Sequence, residues 1–169
     1  QTPTAAEVLQ RSIEYHDPQG LWGRFKGSLT VVAEYPERPP RVSTITMDQP
    51  ADSFRISMVQ DGVEKALGLQ KGVCSLTYKG SESFGAAIAE KEKLTCERAH
   101  MWRDYYSYLY GLPMKLTDPG TLLSPVVEEV DFHGKRCLVL EVRYDPDTGS
   151  DLWYFYLDPE TYALQAYQF

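Results

Sequence analysis

Positive charge is in short supply. The chain carries 17 lysines and arginines against 24 aspartates and glutamates, a formal net charge of −7. That balance disfavours non-specific nucleic-acid binding, and no basic run or aromatic RNA-reading motif offsets it. It also disfavours adhesion to an anionic membrane surface. Long hydrophobic runs are missing too: no stretch approaches the ~20 apolar residues of a transmembrane helix, so no transmembrane segment is expected. Histidine is rare, and His16, His100 and His133 stand far apart. There is no Gly-x-Ser-x-Gly elbow, no His-Glu-x-x-His pair, no phosphate-cradling glycine loop and no dinucleotide fingerprint. No catalytic residue and no cofactor is therefore assigned. Internal repeats and low-complexity segments are also lacking, as is a targeting segment. The last fits a cytosolic protein, or an exported one whose leader has been removed.

Cysteine is sparse and its pattern decides little. Cys74, Cys96 and Cys137 have no zinc-like spacing. Three small buried or half-buried thiols are the ordinary reading. The alternative is a Cys74–Cys96 disulfide that closes the central segment and leaves Cys137 free.

Aromatics are what the chain has in quantity, with 12 tyrosines and three tryptophans among 169 residues. These side chains carry one wet end and suit strands, cavity walls and interfaces. They concentrate in Thr95–Gly120, the one long helical pattern in mid-chain. Thr95 is placed as its N-cap and Glu97 complements the dipole in the first turn. Gly111 is placed to end it in a left-handed conformation, and Pro113 forbids its continuation. Met101, Trp102, Tyr105, Tyr106, Tyr108, Leu109 and Tyr110 recur between those ends at spacings of three and four. A first, shorter helix is expected over about Thr4–Tyr15. Thr4 and Glu7 form a capping box there, and Ala5, Val8, Leu9 and Ile13 form a small apolar face.

Elsewhere the hydrophobic period is two. From Leu21, Phe25, Leu29, Val31, Ala33 and Tyr35 share one face. Further strands are expected at Arg41–Met47, around Phe54–Met58, at Val63–Leu69 and at Cys74–Tyr78. After the central helix they resume at Pro125–Phe132, Lys135–Tyr144, Asp151–Leu157 and Ala163–Phe169. Asp61-Gly62 is the strongest hairpin signal, because that turn needs positive φ at both central residues. Lys71-Gly72 and His133-Gly134 are read as turns in the same way. Gly80–Lys93 is ambiguous between a loose helix and an irregular excursion. The sum is one α+β domain over 1–169: a curved antiparallel half-barrel, open rather than closed, of about nine strands. The N-terminal helix and the inserted helix lie on its concave side. Ala-Tyr-Gln-Phe169 still alternates as a strand, and a final strand leaves an edge. Either further strands follow or a partner covers it, which makes a homodimer or chain pairing near Phe169 an expectation.

Two stretches carry a resemblance. YYSYLYGLPMKLTDPGT (Tyr105–Thr121) and RYDPDTGSDLWYFYLDPETYALQAYQF (Arg143–Phe169) resemble an uncharacterised family of exported Bacteroidetes proteins, across most of the chain. The strand order and the LDPET turn at Leu157–Thr161 are similar to the lipoprotein-carrier superfamily of periplasmic localisation factors. The resemblance implies an open barrel with helices as a lid over an apolar cavity, in the periplasm or cell envelope. It supplies no catalytic residues.

Three chemistries can be set against that frame. Trp22, Phe25, Trp102, Tyr105, Tyr106, Leu109, Trp153 and Phe155 could line a pocket for an acyl chain, lipid or other hydrophobic ligand. Equally, they could be the bulky residues that fill an ordinary core. Asp145, Asp147 and Asp151 alternate around Gly149 and form a weak calcium candidate, without the downstream bidentate glutamate of a known loop; a polar hairpin loop is the ordinary reading. His100 lies one helical turn before Asp104. That pair could serve a hydrolase, or be a surface contact. Non-catalytic binding of a hydrophobic ligand in envelope or lipoprotein trafficking is the leading expectation, with an interaction module using the sheet edge second.

Overall fold

The structure is a computed structural model that describes residues 2–169. It is α+β and entirely antiparallel in its sheets, and it divides into two compact units. One comprises Gly23–Tyr110, and the other comprises Gln1–Trp22 with Gly111–Phe169.

The Gly23–Tyr110 unit is a meander of five strands in sequential order: β1 (Lys26–Ala33), β2 (Arg41–Asp48), β3 (Ser53–Gln60), β4 (Val63–Gln70) and β5 (Val73–Tyr78). Its turns follow from residue chemistry. Asp61 and Gly62 take φ of 52° and 74°, and Lys71 and Gly72 take 50° and 80°, the left-handed pair that matches strand twist in a tight hairpin. The ambiguous segment resolves into a short helix, α2 (Ala86–Glu92), followed by α3 (Cys96–Tyr110). Thr95 caps α3, its Oγ1 accepting from the Arg98 N–H at 3.1 Å. Helix α3 packs on β3, β4 and β5. Between sheet and helices lies a core of Ile45, Met47, Phe54, Ile56, Met58, Leu67, Leu69, Leu94, Ala99 and Tyr106.

Several expectations are corrected here. Gly111 is not among the left-handed glycines, and α3 ends instead ahead of Pro113, which has no N–H to continue the ladder. The first strand begins at Lys26, because Trp22–Arg24 forms a single 3₁₀ turn. Cys74 and Cys96 are joined by a disulfide with Cα atoms 5.7 Å apart, so the alternative pairing replaces the three-thiol reading. Cys137 is the free, buried thiol.

The second unit opens with α1 (Ala5–His16), and both capping-box hydrogen bonds between Thr4 and Glu7 are present. Its strands are β6 (Thr121–Leu123), β7 (Glu128–Phe132), β8 (Lys135–Tyr144), β9 (Trp153–Leu157) and β10 (Leu164–Gln168), in the order β10-β9-β8-β6, with β7 also paired to β8. Ten strands thus form among the described residues where about nine were expected. The added one, β6, is a three-residue strand too short to show alternation. Helix α1 buries Ala5, Val8 and Leu9. Two contacts tie it to the β9–β10 region: Arg11 Nη1 donates to the Tyr162 hydroxyl at 2.8 Å, and the Leu164 N–H donates to His16 Nε2 at 2.9 Å.

Candidate functional site

A charged end on an apolar face marks the site. Directly opposed residues of an antiparallel sheet share a face. On the helix-covered side, Ile45, Ile56 and Leu67 form one buried cross-strand row, and Met47, Phe54 and Leu69 form another. Continuing along the strands in the other direction, the same face carries Ser43, Met58 and Lys65, then Arg41, Gln60 and Val63. Two cations therefore occupy register positions that elsewhere hold core residues.

A pocket of about 280 Å³ opens there. Arg38, Arg41, Met58, Val63, Lys65 and Glu92 are among its walls. The loop after β1 supplies Arg38, whose guanidinium lies 3.8 Å from the centre of the Tyr35 ring. Gln60 donates to the Pro39 carbonyl at 2.9 Å and holds that loop against β3. Helix α2 supplies Glu92. Lys65 Nζ donates to the Glu92 carbonyl at 2.8 Å and approaches its carboxylate at 3.5 Å. Burial is the main influence on Lys65 and lowers its pKa. The Glu92 carboxylate works against that shift, while Arg41 and Arg98 add to it. Arg41 is placed differently. Its Nε is shut off from solvent with no hydrogen-bond partner, and its guanidinium stands 5.5 Å over the Trp102 ring.

The aromatic residues singled out by sequence fall into two groups. In the Gly23–Tyr110 unit, Trp102 stacks on Tyr106 at 5.6 Å, and Tyr105 meets both edge-on. Tyr106 is buried and stacks in turn near Tyr110. Burial raises the Tyr106 pKa, with Arg41 opposing. Phe25 and Trp102 are half-buried against the core, while Tyr105 is 49% exposed and Leu109 is intermediate. In the other unit, Trp153 and Phe155 are buried and stacked at 5.8 Å, and Trp22 is half-buried. Tyr106, Phe155 and Trp153 are therefore core-filling residues. Trp102 and Tyr105 keep an accessible face.

The remaining candidates do not assemble. Asp104 pairs with Arg103 at 3.0 Å rather than with His100. Asp145 is a turn residue, accepting from the Thr148 hydroxyl at 2.8 Å. No group of three His, Cys, Asp or Glu side chains suited to a metal ion occurs among the described residues, the Asp145–Asp151 loop included. Sequence reasoning missed Arg38, Arg41, Lys65 and Glu92 as site residues. The signal for Arg41 was its parity with Ile45 and Met47, and for Lys65 its parity with Leu67 and Leu69.

Antiparallel sheets, a helix laid over one of them and a pocket of mixed charge define an α+β protein. The chain belongs to the family described as "Family of unknown function (DUF6503)", whose model matches residues 1–169. Comparisons with curated proteins and with solved structures found no match. No helix among the described residues is long and apolar enough to cross a membrane.

Proposed function

We propose that the protein is a non-catalytic binder of a small hydrophobic or amphipathic ligand, working in the periplasm or cell envelope in lipid or lipoprotein trafficking. The observation that carries this reading is the pocket at the open end of the β2–β4 face. It joins apolar walls, Met58 and Val63, to cationic ones, and Arg41 links it to the accessible Trp102 ring. The Cys74–Cys96 disulfide supports export, because such bonds persist in oxidising compartments. Native mass spectrometry before and after organic extraction tests the reading. A co-purified small amphiphile that extraction removes is the expected result. A chain that stays bare after incubation with fatty acids and phospholipids would overturn it.

A second reading has its own observation. Among the described residues strand β10 pairs with a single neighbour, β9, and Phe169 beside it is 76% exposed. An edge of this kind can accept another strand. A concentration-dependent dimer that a Phe169→Asp substitution abolishes would favour this reading, and a monomer at all concentrations would remove it.

A further inference from the structure

We propose that Arg38, Arg41 and Lys65 form an oxyanion site that takes the carboxylate or phosphate group of a small amphipathic ligand. The inference rests on the ligand-binding reading above and names the chemistry of the ligand's head.

Arg41 is the centre of the case. A guanidinium offers five donors and is always charged. Drawn partly out of water, it needs an anion or a full set of acceptors. Here Nε is shut off from solvent and has no hydrogen-bond partner, and no ion pair among the described residues includes Arg41, while the side chain forms part of the pocket wall. The Trp102 ring attracts the cation but offers no acceptor lone pair. Glu92, a carboxylate in the pocket wall, is engaged by Lys65. The remaining acid of the lining, Asp61, belongs to the tight turn between β3 and β4.

The local charge also runs against the composition. Three cations and two carboxylates line the pocket, in a chain with a formal charge of −7. An anion entering here meets an attractive field that the molecule at large does not offer. A planar carboxylate or a phosphate matches the fork of a guanidinium in two parallel hydrogen bonds. The volume of about 280 Å³ lies at the lower edge of the usual ~300–1,000 Å³ for small-molecule sites. It suits a head group and the first carbons of a chain rather than a whole lipid. Met58 and Val63 supply the wall for those carbons.

The test is isothermal titration of the full chain with octanoate, octyl phosphate, octanol and inorganic phosphate. The same ligands are then titrated into Arg41→Gln and Arg38→Ala. At least one of the two charged amphiphiles should bind, with octanol about tenfold weaker or worse, as expected for loss of a charge-assisted pair. Arg41→Gln should weaken the charged ligand by about tenfold, and Arg38→Ala, at an exposed position that leaves folding intact, by about threefold. Should Arg41→Gln fail to give the wild-type circular dichroism spectrum, Arg38→Ala decides. Octanol binding as tightly as octanoate, unchanged by either substitution, would overturn the oxyanion site and leave the hydrophobic-ligand reading standing. Inorganic phosphate binding as tightly as octyl phosphate would uphold the oxyanion site and overturn the hydrophobic part. No heat from any ligand would overturn both.

Discussion

His16 accepts a backbone hydrogen bond at Nε2, and that contact requires this nitrogen to be unprotonated. Burial pushes its pKa below the ordinary value of 6.5. Between the folded and unfolded values the unfolded chain binds more protons, so stability rises with pH there. The contribution is complete above about pH 6.5 and is lost as pH falls through the folded pKa. A proton NMR titration should find His16 titrating below 6.5, with the Leu164 amide shift moving in step. A His16 that titrates at or above 6.5 would contradict the contact. Asp158 has the same sign at lower pH. Its carboxylate accepts from the Thr161 and Glu160 N–H groups at 3.0 and 2.8 Å. These two bonds hold its pKa below 3.8, and Lys135 assists. Its contribution is present above pH 3.8 and is lost as pH falls through the folded value. At pH 7, Asp158→Ala should lower the urea midpoint more than Asp158→Asn, which keeps an acceptor oxygen. Equal midpoints would mean that the LDPET turn does not depend on that oxygen.

Among the elements, those whose cause is local were legible in the sequence. Thr4 with Glu7, Thr95, and the Asp61-Gly62 and Lys71-Gly72 turns declare themselves within four residues, and all appear where expected. Removing the α1 cap by Thr4→Ala should cost about 1 kcal/mol in urea unfolding. Elements fixed by tertiary context were not legible. Helix α2 has no side-chain cap hydrogen bond at Gly85 and no fully buried residue, so neither cap nor stripe announces it. Strand β6 exists because β8 is long enough to pair with both β6 and β7. The site was half-legible for a related reason. Alternation reveals which face a residue takes, but only neighbouring strands reveal that Arg41 and Lys65 stand at one end of one face. The disulfide belongs to this scale as well. It links β5 to the first residue of α3 across a separation of 22 residues, and loop-closure entropy for that span is worth about 3 kcal/mol. Replacing both cysteines by alanine should lower unfolding free energy by about that amount. Unfolded wild-type protein should expose one reactive thiol, Cys137. Three reactive thiols without reductant would contradict the bond.

For the whole molecule, the division of the chain has a consequence for how it folds. The Gly23–Tyr110 unit is continuous in sequence. It holds its five-stranded sheet, α2, α3, a core of its own and the one disulfide. The other unit is assembled from both ends of the chain, and its first segment brings α1, with Val8 fully buried. Residues 111–169 by themselves lack that helix, and with it the Arg11–Tyr162 and His16–Leu164 contacts. A compact unit with its own core can fold alone, whereas a segment that has lost part of its unit leaves the surface it shared in water. The fragment 23–110, oxidised, should therefore give a dispersed amide NMR spectrum and a cooperative thermal transition that shifts down on reduction. The fragment 111–169 should remain undispersed until a peptide of residues 1–22 is added, and then gain structure saturably with peptide. A collapsed spectrum for oxidised 23–110 would mean that its core is insufficient without the rest of the chain. Folding of 111–169 without the peptide would mean that α1 adds stability to that unit but is not needed to form it.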